Sequence, residues 1–387
     1  MSKRFWLVIG LAALVVMLAV AGCGQQQAAN QKVIKIGLIA PLTGDVKTFG
    51  ESTKNAVELA LEQAGYKAGD YTIQLIEQDD ANDPTQATNV ATKLITQDGV
   101  KAIIGSVTSK TTIPISEVAQ ANKVVEITST ATNPKVTVDN GQRKDYVFRA
   151  CFIDPFQGKV AAKFALDQLH AKTASVIYDK GNDYTVGLAQ YFMDTFKAGG
   201  GQILTEDTYT VNDTDFSAIL AKVAKAKPDI LYLPDYYQKV SLIGQQARDA
   251  GIKAIFMGGD GWDSSDLNYA VMAGGYFTNH YSPEDTRPEV QKWVQDYKAK
   301  YGSTPDALAT LAYDATNLLL NAIKTANSDD PTAIRDALAA TKDFPAVSGK
   351  ITFDQDGNPI KPAVILKVTY DSQTKQGGTQ FVASVAP

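Results

Sequence analysis

The chain has 387 residues, with 37 Lys and Arg against 42 Asp and Glu, and only two cysteines. The net charge of −5 argues against a nucleic-acid-binding protein, because phosphates require clustered Lys and Arg. Two cysteines exclude a fold built on a disulfide framework, and the length exceeds one ordinary hydrophobic core, which indicates two domains.

The N-terminus has the pattern of a secretory leader. Lys3 and Arg4 precede an apolar run over residues 5–20, and small residues then lead to Cys23. The run is at the short end of the roughly 17 to 25 apolar residues that span a bilayer, which favours a processed leader over a transmembrane anchor. The segment resembles a bacterial lipoprotein precursor, so we expect residues 1–22 to be a signal peptide and Cys23 to carry the lipid.

The expected mature chain begins at Cys23 and lies outside the cytoplasm. Lipid anchors it to the cell membrane, on the periplasmic side if an outer membrane is present. Removal of Lys3 and Arg4 with the leader changes the net charge from −5 to −7, and Cys151 has no intramolecular disulfide partner once Cys23 is acylated. Residues 23–31, rich in Gln and Ala, predict a flexible tether between lipid and fold.

Short β-branched runs alternate with amphipathic helical stretches from residue 32 onward. The first series predicts strands at residues 33–39, 71–76, 102–104 and 124–127 and helices at 49–64, 84–97 and 113–122. The second predicts helices at 159–169, 186–198, 216–226 and 239–250 and strands at 174–178, 201–209, 230–233 and 254–257. Helices at 289–301, 305–326 and 331–341 and strands at 349–353, 363–370 and 379–385 follow. This alternation predicts an α/β fold with two doubly wound parallel sheets whose strand ends share one cleft.

Two hydroxyl-rich loops follow adjacent strands of the first predicted sheet. Residues 105–109 read Gly-Ser-Val-Thr-Ser and lead into a helix, and residues 128–134 have a similar composition after the next strand. Such hydroxyls either cap a helix N-terminus in the ordinary way or bind an anion together with its free amides. Because the loops follow neighbouring strand ends, we expect them to converge on one carboxylate.

The strand ends of the second predicted sheet carry an acid and two tyrosines. Asp260 lies between glycines, where it either forms a turn or faces the cleft to bind an ammonium group. Tyr184 and Tyr236 are either half-buried surface residues or present a hydroxyl and an apolar ring to the same ligand. A carboxylate site on one lobe and an amine site on the other predict a receptor for a zwitterionic α-amino acid.

Several short segments together resemble a known family through their order and spacing. They are residues 36–44, Phe49-Gly50, Asp79-Asp80 with Asp83-Pro84, Ile104-Gly105, residues 129–132 and residues 256–260. Over the whole mature chain they resemble the type I periplasmic solute-binding proteins of the leucine/isoleucine/valine-binding family, the receptors of ABC importers. The resemblance implies a small amino acid ligand and a membrane permease and ATPase as partners. We expect a monomer with no cofactor and no metal.

The resemblance also assigns roles to individual positions of this chain. It implies that Ser109, Thr130 and Thr132 bind the ligand carboxylate and that Asp260 pairs with the ammonium group. The aromatic residues expected at the ligand are Phe49, Tyr184 and Tyr236. Leucine-binding members have glutamate in place of Asp260, and Val107, Thr108 and Trp262, which we also expect in the site, differ from their apolar lining. Because of these departures, the resemblance does not determine the identity of the ligand side chain.

The same resemblance implies three crossings between the lobes and a hinge that closes around the ligand. The crossings are expected near residues 149–152, 276–280 and 353–357. The predicted first lobe comprises residues 32–150 plus 280–353, and the second comprises residues 151–279 plus 354–387.

No motif predicts an enzyme. The chain lacks a Gly-x-Ser-x-Gly elbow, a phosphate-binding glycine loop and a Cys/His cluster with zinc spacing. We expect His170 and His280 to be surface or packing residues, Asp79-Asp80 to stabilise a turn, and residues 354–358 to form a hairpin turn instead of a calcium loop.

Two other protein classes fit the same pattern. One is a receptor on this scaffold for an amide, an aromatic acid or another small carboxylate, and the other is a structural or adhesive lipoprotein. Asp260 distinguishes the receptors, because its carboxylate would face no cation if the ligand were a plain carboxylate.

Overall fold

The structure is a computed structural model and describes residues 32–387. The expected signal peptide, Cys23 and the tether lie outside these residues. Within residues 32–387, none of the helices combines the length and the apolar character needed to cross a membrane.

The first part of the chain alternates strands and helices as expected. Its strands are β1 (Val33–Ala40), β2 (Lys67–Ala68), β3 (Tyr71–Asp79), β4 (Ala102–Ile104), β5 (Val125–Thr128), β6 (Val138–Asp139), β7 (Gln142–Arg143) and β8 (Val147–Arg149). Its helices are α1 (Lys47–Gln63), α2 (Pro84–Lys93), extended by a π-helical turn at Leu94–Asp98, and α3 (Ser109–Asn122). The first sheet has the order β2-β3-β1-β4-β5-β8, with parallel pairing from β1 through β8.

The second part contributes a larger sheet. Its elements are α4 (Asp154–Asp167), β9 (Thr173–Asp179), α5 (Asp183–Ala198), β10 (Gln202–Tyr209), α6 (Ser217–Ala226), β11 (Ile230–Tyr232), α7 (Tyr237–Asp249), β12 (Ile255–Gly258), α8 (Tyr269–Met272) and β13 (Tyr276–Asn279). The C-terminal elements are α9 (Pro288–Tyr301), α10 (Ala307–Ala326), α11 (Pro331–Ala339), β14 (Phe344–Ala346), β15 (Gly349–Ile351), β16 (Ala363–Asp371) and β17 (Gln376–Val385). The second sheet has the order β10-β9-β11-β12-β13-β16-β17.

Successive residues of a central strand belong to different cores, which places helices on both faces of each sheet. In β1, Leu38 belongs to a cluster with residues of α1 and α10, whereas Ile39 packs with residues of α2. In β11, Leu231 packs with residues of α6 and α7, whereas Tyr232 stacks on Phe192 of α5. Because side chains alternate along a strand, buried runs of this kind are typical of a sheet covered on both sides.

The prediction of two doubly wound α/β sheets is confirmed, with three corrections in detail. The second sheet is mixed and not purely parallel, because β16 pairs antiparallel with both β13 and β17. Tyr276–Asn279, which was not predicted as a strand, forms β13 inside the second sheet, so the passage expected near residues 276–280 begins only after Asn279. The helix expected over 84–97 is α-helical only to Lys93 and ends in the π-helical turn.

The chain passes between the two sheets three times. It leaves the first sheet after Arg149, leaves the second after Asn279, and enters the second again at Ala363. Between the last two passages, α10 packs against α1 beside the first sheet. The lobe boundaries given above stay a prediction.

Close packing at the start of α1 gives a test of this fold. Gly50 is buried, and a Cβ on it would lie 2.0 Å from the carbonyl oxygen of Pro41. Helical Gly→Ala ordinarily stabilises by about 0.5 to 1 kcal/mol, but here the overlap with backbone reverses the sign. We expect Gly50→Ala to lower the free energy of unfolding by about 1 to 3 kcal/mol in urea denaturation. The exposed neighbour Glu51→Ala should change it by less than about 0.5 kcal/mol. Equal stability of the two variants would contradict this packing.

Candidate functional site

A small cavity lies where the strand ends of the two sheets face each other. The space between its lining atoms is about 290 Å³, and part of this space is open to solvent. The lining residues are Phe49, Val107, Thr108, Ser109, Thr130, Thr132, Tyr184, Tyr236, Asp260, Gly261 and Leu308. The structure therefore brings together nine of the ten residues that the sequence nominated, and Trp262 is the exception.

One end of the cavity is formed by the start of α3. Thr108 occupies the N-cap position but does not cap the helix, because its hydroxyl donates to Asn82 Oδ1 at 2.7 Å. The first amides of α3 therefore have no side-chain acceptor and can bind an anion. Ser109 Oγ accepts from the amide of Asn133 at 3.2 Å, which leaves the hydroxyl proton of Ser109 available to a ligand.

The loop after β5 lies beside this helix start. Thr130 Oγ1 donates to the carbonyl oxygen of Val107 at 2.8 Å and joins the two loops. Arg149, fully buried, donates to the carbonyl oxygens of Ala131 at 2.7 Å and Asn133 at 2.9 Å. These carbonyls flank Thr132, so the guanidinium fixes the backbone on both sides of this cavity residue. Sequence reasoning missed the role of Arg149, because a strand residue gives no signal for acceptors on another loop.

Asp260 lies at the other end, in the 3₁₀ turn Asp260–Trp262 after β12. It is only 6% exposed. Oδ1 accepts from Gln157 Nε2 at 2.8 Å and from the Tyr184 hydroxyl at 2.9 Å, and Oδ2 lies 2.9 Å from His280 Nε2. Among residues 32–387, no lysine or arginine forms an ion pair with Asp260. The carboxylate is thus held by uncharged donors, since burial raises the pKa of Tyr184 and lowers that of His280.

Glycines on both sides of Asp260 permit this close packing. A Cβ on Gly259 would lie 2.7 Å from the Tyr184 hydroxyl oxygen and 2.8 Å from Gln157 Nε2. Trp262 lies behind the turn, fully buried, with its indole N–H donating to the carbonyl oxygen of Leu233 at 2.9 Å. It supports the Asp260 turn from the core and is not among the cavity residues.

Aromatic and aliphatic side chains form the remaining wall. The rings of Tyr184 and Tyr236 are stacked, with centroids 5.3 Å apart. Phe49, in α1, meets Tyr236 edge-on with ring centroids 5.8 Å apart. Leu308, in the first turn of α10, completes the apolar part with Val107. Apart from its position near a helix start, nothing in the sequence marks Leu308 as a cavity residue.

The other polar groups singled out in the sequence lie outside the cavity. Asp79 accepts from the amides of Leu42 and Ala81, at 2.9 and 2.8 Å, and so stabilises turns. Asp354 accepts from the amides of Asp356 and Asn358 in the last interlobe segment. His170 is exposed, whereas His280, expected to be a surface or packing residue, is 2% exposed and bonded to Asp260.

Comparison with known proteins shows consistent similarity over most of the chain. A family model described as periplasmic binding protein matches residues 33–377. The Leu/Ile/Val-binding protein BraC3 of Rhizobium johnstonii is 33% identical over 331 residues, which cover 84% of this chain and 88% of that protein.

Solved structures show the same similarity to solute-binding proteins. The leucine-binding protein LivK of Thermotoga maritima is 36% identical, with a TM-score of 0.85, and the match covers 92% of this chain and 99% of that one. LivJ of Streptococcus pneumoniae, solved in complex with isoleucine, is 30% identical with a TM-score of 0.82, over 91% of this chain and 99% of that one. A Rhodopseudomonas palustris solute-binding protein in complex with benzoate has a TM-score of 0.82 over 92% of this chain and 97% of that one, but at 24% identity it shares the fold alone.

A second acid beside the cavity gives a test of the local electrostatics. Burial raises the pKa of Asp154 to about 8, although the Thr132 hydroxyl acts in the opposite direction. Above pH 4 the folded state therefore keeps a proton on Asp154 that the unfolded chain has released. The stability that this proton confers is complete below pH 4 and is lost as the pH rises to about 8. We expect Asp154→Asn to reduce the decline in unfolding free energy between pH 5 and 8, by up to about 1.4 kcal/mol per pH unit.

The measurement is urea denaturation of both proteins at pH 5, 6, 7 and 8. Asp167→Asn, at an exposed position of α4, is the control and should keep the wild-type slope. Parallel pH profiles for wild type and Asp154→Asn would contradict the assignment.

Proposed function

The chain is a member of the periplasmic binding protein family, and we propose that it is the extracytoplasmic receptor of an ABC importer for an α-amino acid, branched-chain or similar. Members of this family are solute-binding proteins and not enzymes. Identity of about a third to proteins named for leucine, isoleucine and valine supports the ligand class.

One observation carries the proposal: the two ends of the cavity have opposite electrostatic character. The uncapped start of α3 and the Ser109 hydroxyl suit a carboxylate. Asp260, held only by uncharged donors, suits an ammonium group. A free α-amino acid carries both groups on one carbon and so matches both ends of the cavity.

The apolar wall suggests the side chain of the solute. Phe49, Val107 and Leu308 offer no charged partner, and burying apolar surface against them contributes about 25 cal/mol per Å². A branched aliphatic side chain gains from this wall, whereas a charged one would lose its hydration without compensation.

A plain carboxylate, an aromatic acid or an amide is less well matched. Each could bind at the start of α3, but none would bring a positive charge to Asp260. The occupied cavity would then hold a buried carboxylate with no cation, which is unfavourable.

Contacts between the lobes support binding by closure. Thr48 Oγ1 lies 2.9 Å from Ser264 Oγ, and the Tyr237 hydroxyl donates to the carbonyl oxygen of Asp45 at 3.1 Å. A solute that touches both lobes stabilises the closed form by its differential affinity, whereas a solute bound to one lobe does not. The closed, occupied monomer is the form we propose the membrane permease and ATPase recognise.

The test is a thermal-shift and calorimetric screen of the twenty amino acids with benzoate, 4-hydroxybenzoate and acetamide. Ligand at 100 times its dissociation constant should stabilise by about 2.7 kcal/mol. We expect leucine, isoleucine or valine among the strongest, with a decrease in radius of gyration by X-ray scattering. Stabilisation by benzoate alone would favour an aromatic-acid receptor, and no stabilisation by any solute would overturn the proposal.

Substitution of Asp260 is the most direct test of the proposed amine site. We expect Asp260→Asn to weaken amino acid binding by about 2 to 5 kcal/mol, because the ammonium group loses its buried counter-charge. Isothermal titration calorimetry measures the difference. Asp266→Asn, an exposed acid six residues along the chain, should bind as wild type. Unchanged affinity in Asp260→Asn would remove this residue from the ligand site.

Membrane anchoring through Cys23 is tested with the two cysteines of the chain. We expect Cys23→Ser to appear in the soluble extracytoplasmic fraction, without the mass of a diacylglyceryl group, because the thiol that carries the lipid is gone. Cys151 is fully buried, so Cys151→Ser should stay with the membrane. Membrane retention of Cys23→Ser would exclude this anchor.

A further inference from the structure

His280 occupies an unusual position at the second passage between the lobes. It directly follows β13, is 2% exposed, and its ring stacks on Phe152 of the first passage with centroids 3.7 Å apart. Its Nε2 lies 2.9 Å from Asp260 Oδ2. Its Nδ1 is buried and has no hydrogen-bond partner within residues 32–387. This geometry favours the neutral tautomer with the proton on Nε2, since a proton on Nδ1 would be a buried donor without an acceptor.

We propose that His280 positions Asp260 and sets the net charge of the amine site, so that protonation of His280 releases amine-bearing solutes. The inference rests on the proposed function, which supplies the amino acid ligand. The contact between His280 and Asp260 is present without any ligand.

The hydrogen bonds of Asp260 determine where a ligand nitrogen can bind. An ionised carboxylate offers about four acceptor positions, two on each oxygen. Gln157 and Tyr184 both donate to Oδ1, which is then filled, and His280 takes one position on Oδ2. The remaining position is on Oδ2, so a ligand ammonium group would bind next to the His280 N–H on the same oxygen.

This shared oxygen makes the charge of His280 decisive. With neutral His280, the pair carries a net charge of −1 and attracts a cation. With protonated His280, the pair is neutral overall and two cations compete for one oxygen, which disfavours an ammonium ligand. A plain carboxylate ligand would not meet this repulsion at its own end of the cavity.

The charged surroundings of His280 have opposing effects. Burial lowers the pKa of His280, Asp260 raises it, and Lys361 of the third passage lowers it again, with lowering as the net direction. Phe152 and Asn279, which also contact it, carry no charge. Asp260 in turn contributes to a raised pKa at six other groups, which are Cys151, Asp154, Tyr184, Tyr232, Tyr236 and Asp263.

The sign of the pH effect follows from linkage. A bound ammonium group lowers the pKa of His280 further, so the free protein binds the proton more tightly than the complex does. Amino acid affinity must therefore fall as the pH drops through the His280 pKa of the free protein, by up to about tenfold per pH unit.

The first experiment is calorimetric titration of the strongest amino acid ligand between pH 5 and 8. The variant is His280→Gln, whose amide can still donate to Asp260 but does not titrate in this range. The control is His170→Asn, because His170 is the only other histidine, is exposed, and has a positive φ that Asn tolerates. We expect wild type and His170→Asn to lose affinity as the pH falls, and His280→Gln to lose less of it. An identical decline in His280→Gln overturns the proposal.

A second experiment needs no ligand. Proton NMR of the His280 ring in the free protein gives its pKa, with the His170→Asn variant used for assignment. We expect Asp260→Asn to lower the His280 pKa, because the carboxylate that stabilises the charged ring is removed. An unchanged pKa overturns the inference. If Asp260→Asn shifts this pKa but no amino acid binds wild type, the coupling stands and the proposed function fails.

Discussion

A carboxylate that is removed from water needs hydrogen bonds and a positive partner, and the cavity is arranged around this requirement at Asp260. Its protein donors supply hydrogen bonds without supplying a full positive charge. Under the proposed function, the ligand ammonium group supplies the counter-charge that these donors lack, and a ligand without such a group would leave the buried carboxylate unpaired.

The opposite end of the cavity, at the start of α3, is formed mainly by backbone groups. Parallel strands deliver their carboxyl ends to one edge of a sheet, and the helix that follows β4 begins there with amides unsatisfied. Arg149 maintains the neighbouring loop by binding carbonyls on both sides of Thr132. The two ends thus differ in construction: one is a side-chain charge in a hydrogen-bond network, and the other is a helix terminus beside a clamped loop.

Local sequence pattern predicted most of the fold and the outline of the site. Strand periodicity placed the sheets. Position after a strand and, for Phe49, the family resemblance alone nominated nine residues that line the cavity. The features that the sequence did not predict have different physical origins. Gln157 is 103 residues from Asp260, and no local pattern reveals that contact. Strand β13 was missed because Thr278 and Asn279, although fully buried, are polar and do not read as a core strand. Trp262 was expected to line the cavity. The direction of a side chain in a 3₁₀ turn depends on the core residues packed behind the turn, which local sequence does not reveal.

The apolar wall of the cavity has a different origin from either polar end. Phe49, Val107 and Leu308 come from three separate elements, and none of them belongs to the hydrogen-bond network of Asp260 or to the loop held by Arg149. Under the proposed function, a substitution in this wall would change which side chain the cavity accepts, while the groups proposed to hold the amino and carboxyl ends of the solute stay in place.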